Sequence, residues 1–90
     1  MPTGSVSGYV RKKDGTPISD ESQHMVWELG GVTQDDLNTD PNGRYATTLE
    51  YGTYSVYVNG CLAKPATYQV CAAFATRNFR RTCTVNGQPE

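Results

Sequence analysis

Apolar and polar residues alternate along most of the chain, the pattern of β-strands that bury one face. In the early segment SVSGYV, this alternation places Val6 and Val10 on the same face. In the segment HMVWEL, it places Met25, Trp27 and Leu29 on one face. No segment shows a convincing helical period. The pattern therefore predicts an all-β fold.

The central stretch TDPNGRYATTLEYGTYSVYV predicts two strands, each preceded by a turn. In DPNG, Asp40 is placed to accept hydrogen bonds from the turn backbone, the proline fixes φ, and Gly43 takes the positive φ that follows. We expect Tyr51-Gly52 to reverse the chain between the two strands. The predicted inward residues are Tyr45, Thr47 and Leu49, then Tyr54, Val56 and Val58. Tyr57 falls on the opposite, outward face.

The other segments carry weaker patterns. Asp14-Gly15 in KKDGTPIS is a hairpin-type turn pair, and GGVTQDDLNT looks like a loop that contains at most a short edge strand. After Asn59-Gly60, a loop with Pro65 is expected to lead to a strand in TYQVCAAF, and a connection with a final strand ends near Val85. About seven short strands in 90 residues predict one β-sandwich, because a single sheet would leave an apolar face in water.

Size and charge limit the possible functions. A chain of 90 residues has room for one modest core, so we expect one domain over residues 1–90, an N-terminal module of a longer chain. Eight basic and nine acidic residues give a net charge of -1, which provides no overall field to attract nucleic acid or an anionic membrane. No signal peptide or membrane-spanning run is recognisable. We therefore expect neither a nucleic acid nor a membrane partner.

The three cysteines, Cys61, Cys71 and Cys83, are odd in number and lack metal-site spacing. This favours reduced thiols in a protein made in a reducing cytoplasm. The alternative is a disulfide between Cys71 and Cys83, both near the last strands, in a protein that ends up outside the cell.

The order of motifs G-x-V-x-G-x-V, DGTP, TDPNGRY and LEYGTYSVYV resembles the transthyretin-like sandwich modules called carboxypeptidase regulatory-like domains, over most of the first sixty residues. Within that group, GRYATTLEYGTYSVYV is most similar to the N-terminal domain of phage and prophage tail fibres. The resemblance implies a transthyretin-like or Ig-like sandwich at the virion-proximal end of a fibre. It also implies a tail or baseplate protein as partner, a homo-oligomer (trimer) in the full fibre, and location in the virion tail after synthesis in the bacterial host cytoplasm.

Catalytic arrangements are poorly represented. A nucleophile needs a histidine beside it, and the only histidine, His24, is expected on the polar side of a strand. The carboxylates of Asp35, Asp36, Asp40 and Glu50 could cluster, but on a polar loop nothing evident would desolvate one of them. Transthyretin-fold enzymes that open a purine-pathway ring need several histidines and a tail ending in Arg-Gly-Ser, whereas this chain ends in NGQPE. We expect neither an enzyme nor a cofactor.

The acidic segment before the second turn is similar to a calcium loop, because Asp36, Asn38, Asp40 and Asn42 are spaced two apart. If Gly43 takes the sixth position of such a loop, Leu49 takes the twelfth, where a glutamate is required. A simple Asp-Pro-Asn-Gly turn is the favoured interpretation, without a metal.

Two surface features are candidates for binding. Arg77, Arg80 and Arg81 form a weak footprint for nucleic acid, and they are better suited to a rim that meets an acidic partner protein or simply faces water. Tyr57 is the other docking candidate. The rival function is a carbohydrate-binding or adhesin accessory module, which requires exposed aromatic side chains. Trp27 tests that function, and its register with Met25 and Leu29 predicts burial.

Overall fold

The computed structural model describes residues 2–90, which form eight β-strands. The strands are β1 (Thr3–Arg11), β2 (His24–Leu29), β3 (Val32–Asn38), β4 (Arg44–Glu50), β5 (Gly52–Val58), β6 (Cys61–Val70), β7 (Phe74–Thr76) and β8 (Phe79–Arg80). The all-β prediction is confirmed, with eight strands in place of about seven. Residues 2–90 include no helix of the length and apolarity needed to cross a membrane.

Hydrogen bonds join the strands in the order β3-β2-β5-β6-β8-β1-β4, and β7 pairs with β1 outside this path. The link through β8 is short, because only Lys64 of β6 pairs with Arg80 of β8. The two ends of the path, β3 and β4, lie close together, and the Thr47 hydroxyl of β4 donates to the Asp35 carboxylate of β3. The sheet is therefore nearly closed into a barrel.

The corner at Tyr51-Gly52 carries the chain from one side of the core to the other. β4 pairs with β1, whereas β5 pairs with β2 and β6, so the two central strands do not pair with each other. The chain therefore reverses at Tyr51-Gly52 without forming a hairpin, because the strands on the two sides of the turn pair with different neighbours. Across this corner the Tyr54 hydroxyl donates to the Glu50 carbonyl at 2.7 Å. Burial raises the pKa of the Tyr54 hydroxyl above its ordinary value.

Aromatic rings fill the centre of the core. Trp27 is completely buried, and its ring centroid lies 5.6 to 6.4 Å from those of Tyr45, Tyr54, Tyr68 and Phe79. The aliphatic members of the core are Val6, Val10, Ile18, Met25, Leu49, Val56, Val58, Ala63 and Val70. The inward faces predicted for β1, β2, β4 and β5 are confirmed, with Leu29 only partly buried.

Two glycines of β1, Gly4 and Gly8, allow the last third of the chain to pack directly against this strand. β7 and β8 both pair with β1 in parallel. A Cβ on Gly4 would collide with the carbonyl oxygen of Ala72, and one on Gly8 with that of Arg77. The same Arg77 carbonyl accepts a hydrogen bond from the buried Tyr45 hydroxyl at 2.5 Å. Only glycine at these positions allows the segment to lie so close to β1.

Three expectations for the weakly patterned segments are wrong in extent. GGVTQDDLNT contains a full strand, β3. β6 begins directly after Gly60, where a loop was expected, and ends at Val70 instead of continuing through CAAF. The final strand is only two residues long, and an isolated bridge between Cys83 and Pro89 follows it.

The cysteine predictions are also corrected. Cys61 and Cys83 form a disulfide, with their Cα atoms 6.0 Å apart, while Cys71 is free and exposed. The two are therefore not reduced thiols, and the alternative pairing of Cys71 with Cys83 is wrong. The reason is the length of β6. Cys61 starts this strand and Cys71 follows its last residue, which separates them by roughly 30 Å at about 3.3 Å per residue.

Candidate protein-docking face

Tyr57 lies at the centre of an apolar stripe on the outside of the sheet. It alternates with Val56 and Val58, both fully buried, so its ring points outward. Its register partners are Val26 of β2 and Leu62 of β6. Leu62 is 46% exposed, and the other two side chains are half-buried. We call Val26, Tyr57 and Leu62 the apolar row. The prediction that Tyr57 lies outside the core is confirmed.

A stripe of cations continues from the apolar row. Lys64 follows Leu62 by two residues, and Ala63 between them is buried, so both side chains face outward. Lys64 is the register partner of Arg80 in β8, and Arg80 is the register partner of Arg11 in β1. All three are exposed. We call Arg11, Lys64 and Arg80 the basic row.

The basic row is not neutralised within the part of the chain that the structure describes. Arg11, Lys64, Arg80 and the adjacent Lys12 have no carboxylate oxygen within 4.0 Å of their charged nitrogens in residues 2–90. The Arg80 guanidinium lies over Gly15, 3.1 Å from the position that a Cβ would take there. Lys12 nevertheless lies near the Asp14 and Glu90 carboxylates and interacts with them electrostatically, so the uncompensated cations are the three of the basic row. The net charge of -1 therefore conceals a local positive surface.

Arg81 is not part of any exposed rim, and this prediction is wrong. Its side chain is 6% exposed. Its guanidinium donates to Glu90 at 2.8 Å, and to Glu21 and Gln23 at 3.0 Å each. The hydrogen bonds to Glu90 raise the pKa of Arg81 against the opposing effect of burial. Alternation explains the placement, because Phe79 and Arg81 are both buried while Arg80 between them points outward.

Arg77 is exposed, but it lies between β7 and β8 and outside the basic row. Of the four predicted binding residues, the structure therefore joins Tyr57 and Arg80 on one outer surface, through Leu62 and Lys64. Sequence reasoning missed both connecting residues, because their segment was expected to be a loop. The signal that could have found them is the spacing of Leu62 and Lys64 after Asn59-Gly60, because a strand in that segment places both side chains on its outer face.

The acidic and histidine candidates have local partners. His24 is exposed, and its Nε2 lies 2.5 Å from Asp36 Oδ1. Asp40 Oδ1 accepts hydrogen bonds from the backbone N–H groups of Asn42 and Arg44, each at 2.9 Å, which supports the simple turn. Residues 2–90 bring together no three His, Cys, Asp or Glu side chains that could hold a metal ion.

A sugar platform built on Trp27 and Tyr57 is excluded. Trp27 points into the core, whereas Tyr57 points out of the same sheet. The exposed aromatic rings are Tyr9, Tyr51 and Phe74, on β1, the β4–β5 corner and β7 respectively. The prediction that Trp27 is buried is confirmed.

Comparison with known proteins does not assign the chain to a family. No protein-family model matches the sequence, and no curated protein matches it.

Proposed function

We propose that the chain is a transthyretin-like β-sandwich that acts as a non-enzymatic attachment module at the virion-proximal end of a phage-type tail fibre or tailspike. The similarity of GRYATTLEYGTYSVYV to tail-fibre N-terminal domains supports this assignment. The sandwich is supported by the bond from Tyr54 to the Glu50 carbonyl, at a corner where the chain crosses the core. Such a tyrosine corner is typical of Greek-key sandwiches.

The observation that carries the proposal is the apolar row. A tyrosine between two aliphatic side chains, all on paired strands, provides a rigid docking surface, because neighbouring strands fix each backbone position. Tyrosine is enriched among the residues that dominate protein interfaces, and a polar rim around it is usual. Ser55 on β5 and Thr67 on β6 provide part of such a rim.

The partner in this proposal is a tail or baseplate protein of the virion. In the complete fibre the module is present in several copies, as a trimer, and receptor binding belongs to other parts of the fibre. Neither nucleic acid nor a membrane is required as a partner. The module needs a stable fold and one complementary surface, and no cofactor.

Binding measurements with Tyr57→Ala test the proposal. The purified domain is assayed by biolayer interferometry against the tail and baseplate proteins encoded beside its gene. We expect one of them to bind, and Tyr57→Ala to weaken that binding by at least about tenfold, as for a central interface residue. Thr53→Ala, on the same face of β5, is the matched control and should have little effect. Both variants should still unfold cooperatively.

Two outcomes would contradict the attachment function. The first is that none of these virion proteins binds the wild-type domain. The second is reproducible binding on a glycan array that disappears in folded Tyr57→Ala, which would favour the carbohydrate-binding alternative.

A further inference from the structure

We propose that the basic row binds the carboxylates of an acidic segment of the partner protein, while Leu62 beside it contacts an apolar side chain of that segment. This inference rests on the proposed function, because it specifies the partner chemistry of the same outer surface. It also concerns residues that the sequence patterns left unassigned, since Arg11 and Lys64 were not among the predicted binding residues.

The first argument is the arrangement of charge. Arg11, Arg80 and Lys64 occupy register-paired positions in three successive strands, and like charges placed opposite each other repel. All three side chains are exposed, and the salt bridges of residues 2–90 include none of them. By contrast, the neighbouring Arg81 forms ion pairs with the carboxylates of Glu21 and Glu90. An anionic partner would relieve the repulsion in the basic row that the chain itself leaves in place.

The second argument is the spacing. Neighbouring strands lie about 4.8 Å apart, so three successive strands present cations over about 10 Å. Leu62 and Lys64, two residues apart on β6, are separated by roughly 6.6 Å along the strand. A short acidic segment with two or three carboxylates and one apolar side chain nearby matches these dimensions.

The adjoining surface favours a protein partner over nucleic acid. Single-strand binders combine cations with exposed aromatic rings on which bases stack. Here one exposed ring, Tyr9, lies two residues from Arg11 on β1 and provides no row of rings for successive bases, while the side chain next to Lys64 is the aliphatic Leu62 and the Tyr57 ring beyond it is half-buried. The chain also has a net charge of -1, which opposes long-range attraction of a polyanion.

A titration followed by nuclear magnetic resonance tests the inference. The probe is the synthetic peptide Gly-Glu-Asp-Leu-Glu-Asp-Gly, and the neutral control peptide carries Gln and Asn in place of Glu and Asp. We expect the acidic peptide to shift the amide signals of the basic row and of Leu62, and the neutral peptide to leave them unchanged. Raising the salt concentration should weaken the acidic complex, because the contacts are exposed charge pairs.

Charge reversal localises the binding. Arg80→Glu should lower the affinity for the acidic peptide by at least about tenfold, since it removes a cation and adds an anion between two remaining cations. Arg77→Glu makes the same charge change on an exposed residue outside the row and is the matched control. Equal losses in both variants would overturn the inference, as would equal shifts with the neutral peptide.

Two further results would assign the row to a different partner and overturn the inference. One is tighter binding of oligothymidylate or inorganic polyphosphate than of the acidic peptide at the same amides, which indicates a phosphate ligand. The other is a concentration-dependent shift of these amides without any probe, which indicates a second copy of the chain.

The outcome is separable from that of the proposed function. If the acidic peptide binds through Arg80 but no tail or baseplate protein binds the domain, the carboxylate site stands and the attachment function fails. If a tail protein binds in a Tyr57-dependent way and Arg80→Glu has no effect on it or on the peptide, the attachment function stands and this inference fails.

Discussion

The disulfide between Cys61 and Cys83 should contribute a large share of the stability of this domain. The two residues are 22 positions apart in sequence. In the chain-entropy model, closing a loop of that length removes about 11 cal/mol/K from the unfolded state, which is about 3.4 kcal/mol near room temperature. In a domain of this size, each kcal/mol shifts Tm by about 4 to 8 °C, so the double variant Cys61→Ala/Cys83→Ala should melt about 14 to 27 °C lower.

Scanning calorimetry with and without a reductant measures this contribution. Reduction of the wild-type protein isolates the bond itself, because Cys83 is buried and its replacement also removes packing. The control is Cys71→Ser, which changes an exposed free thiol and should leave Tm and its response to reductant unchanged. The reasoning is refuted if the reductant does not lower Tm although mass spectrometry shows full reduction. Peptide mapping that finds a bridge to Cys71 would refute it equally.

Two further predictions concern the core and the C-terminal ion pair. Val56 is fully buried beside its partner Trp27, so Val56→Asp should abolish cooperative unfolding by placing an unpaired charge in the core, and a thermal melt close to that of the parent would contradict this. The hydrogen bonds from Arg81 hold the pKa of Glu90 below its ordinary value of 4.5, so its contribution to stability is present above that value and lost as pH falls through the lowered pKa. The Tm advantage of wild type over Glu90→Gln, measured from neutral pH to acid, should therefore shrink below about pH 4.5, whereas an advantage that is constant with pH would contradict this.

The parts of the fold that the sequence predicts well are those fixed by local signals. HMVWEL alternates cleanly and forms β2 with the expected inward residues. Asp40 and Gly43 define their turn within four residues, and the structure shows the expected side-chain hydrogen bonds and positive φ. Alternation then determines the buried face of β4 and β5 without knowledge of their partners.

The parts that could not be predicted depend on distant partners. Pro65 indicates a loop when read locally, because proline cannot donate to a strand ladder. In the structure it lies in an irregular part of β6, where the register with β5 changes between Leu62 and Thr67, so the strand accommodates it. β3 has weak periodicity because it is an edge strand, paired with β2 alone. Neither context can be inferred from the segment itself.

The candidate site shows the same dependence on topology. Arg80 and Arg81 are adjacent and chemically identical, so composition alone assigned both to one exposed rim. Alternation about β8 separates them, and Arg81 is neutralised inside while Arg80 faces outward. The pairing of β8 with β1 and β6 then places Arg11 and Lys64 beside Arg80. These three residues are far apart in the sequence, so an overall net charge near zero could not have revealed a positive surface. The chemistry available to a partner is therefore determined by strand order and not by the arginine-rich segment alone.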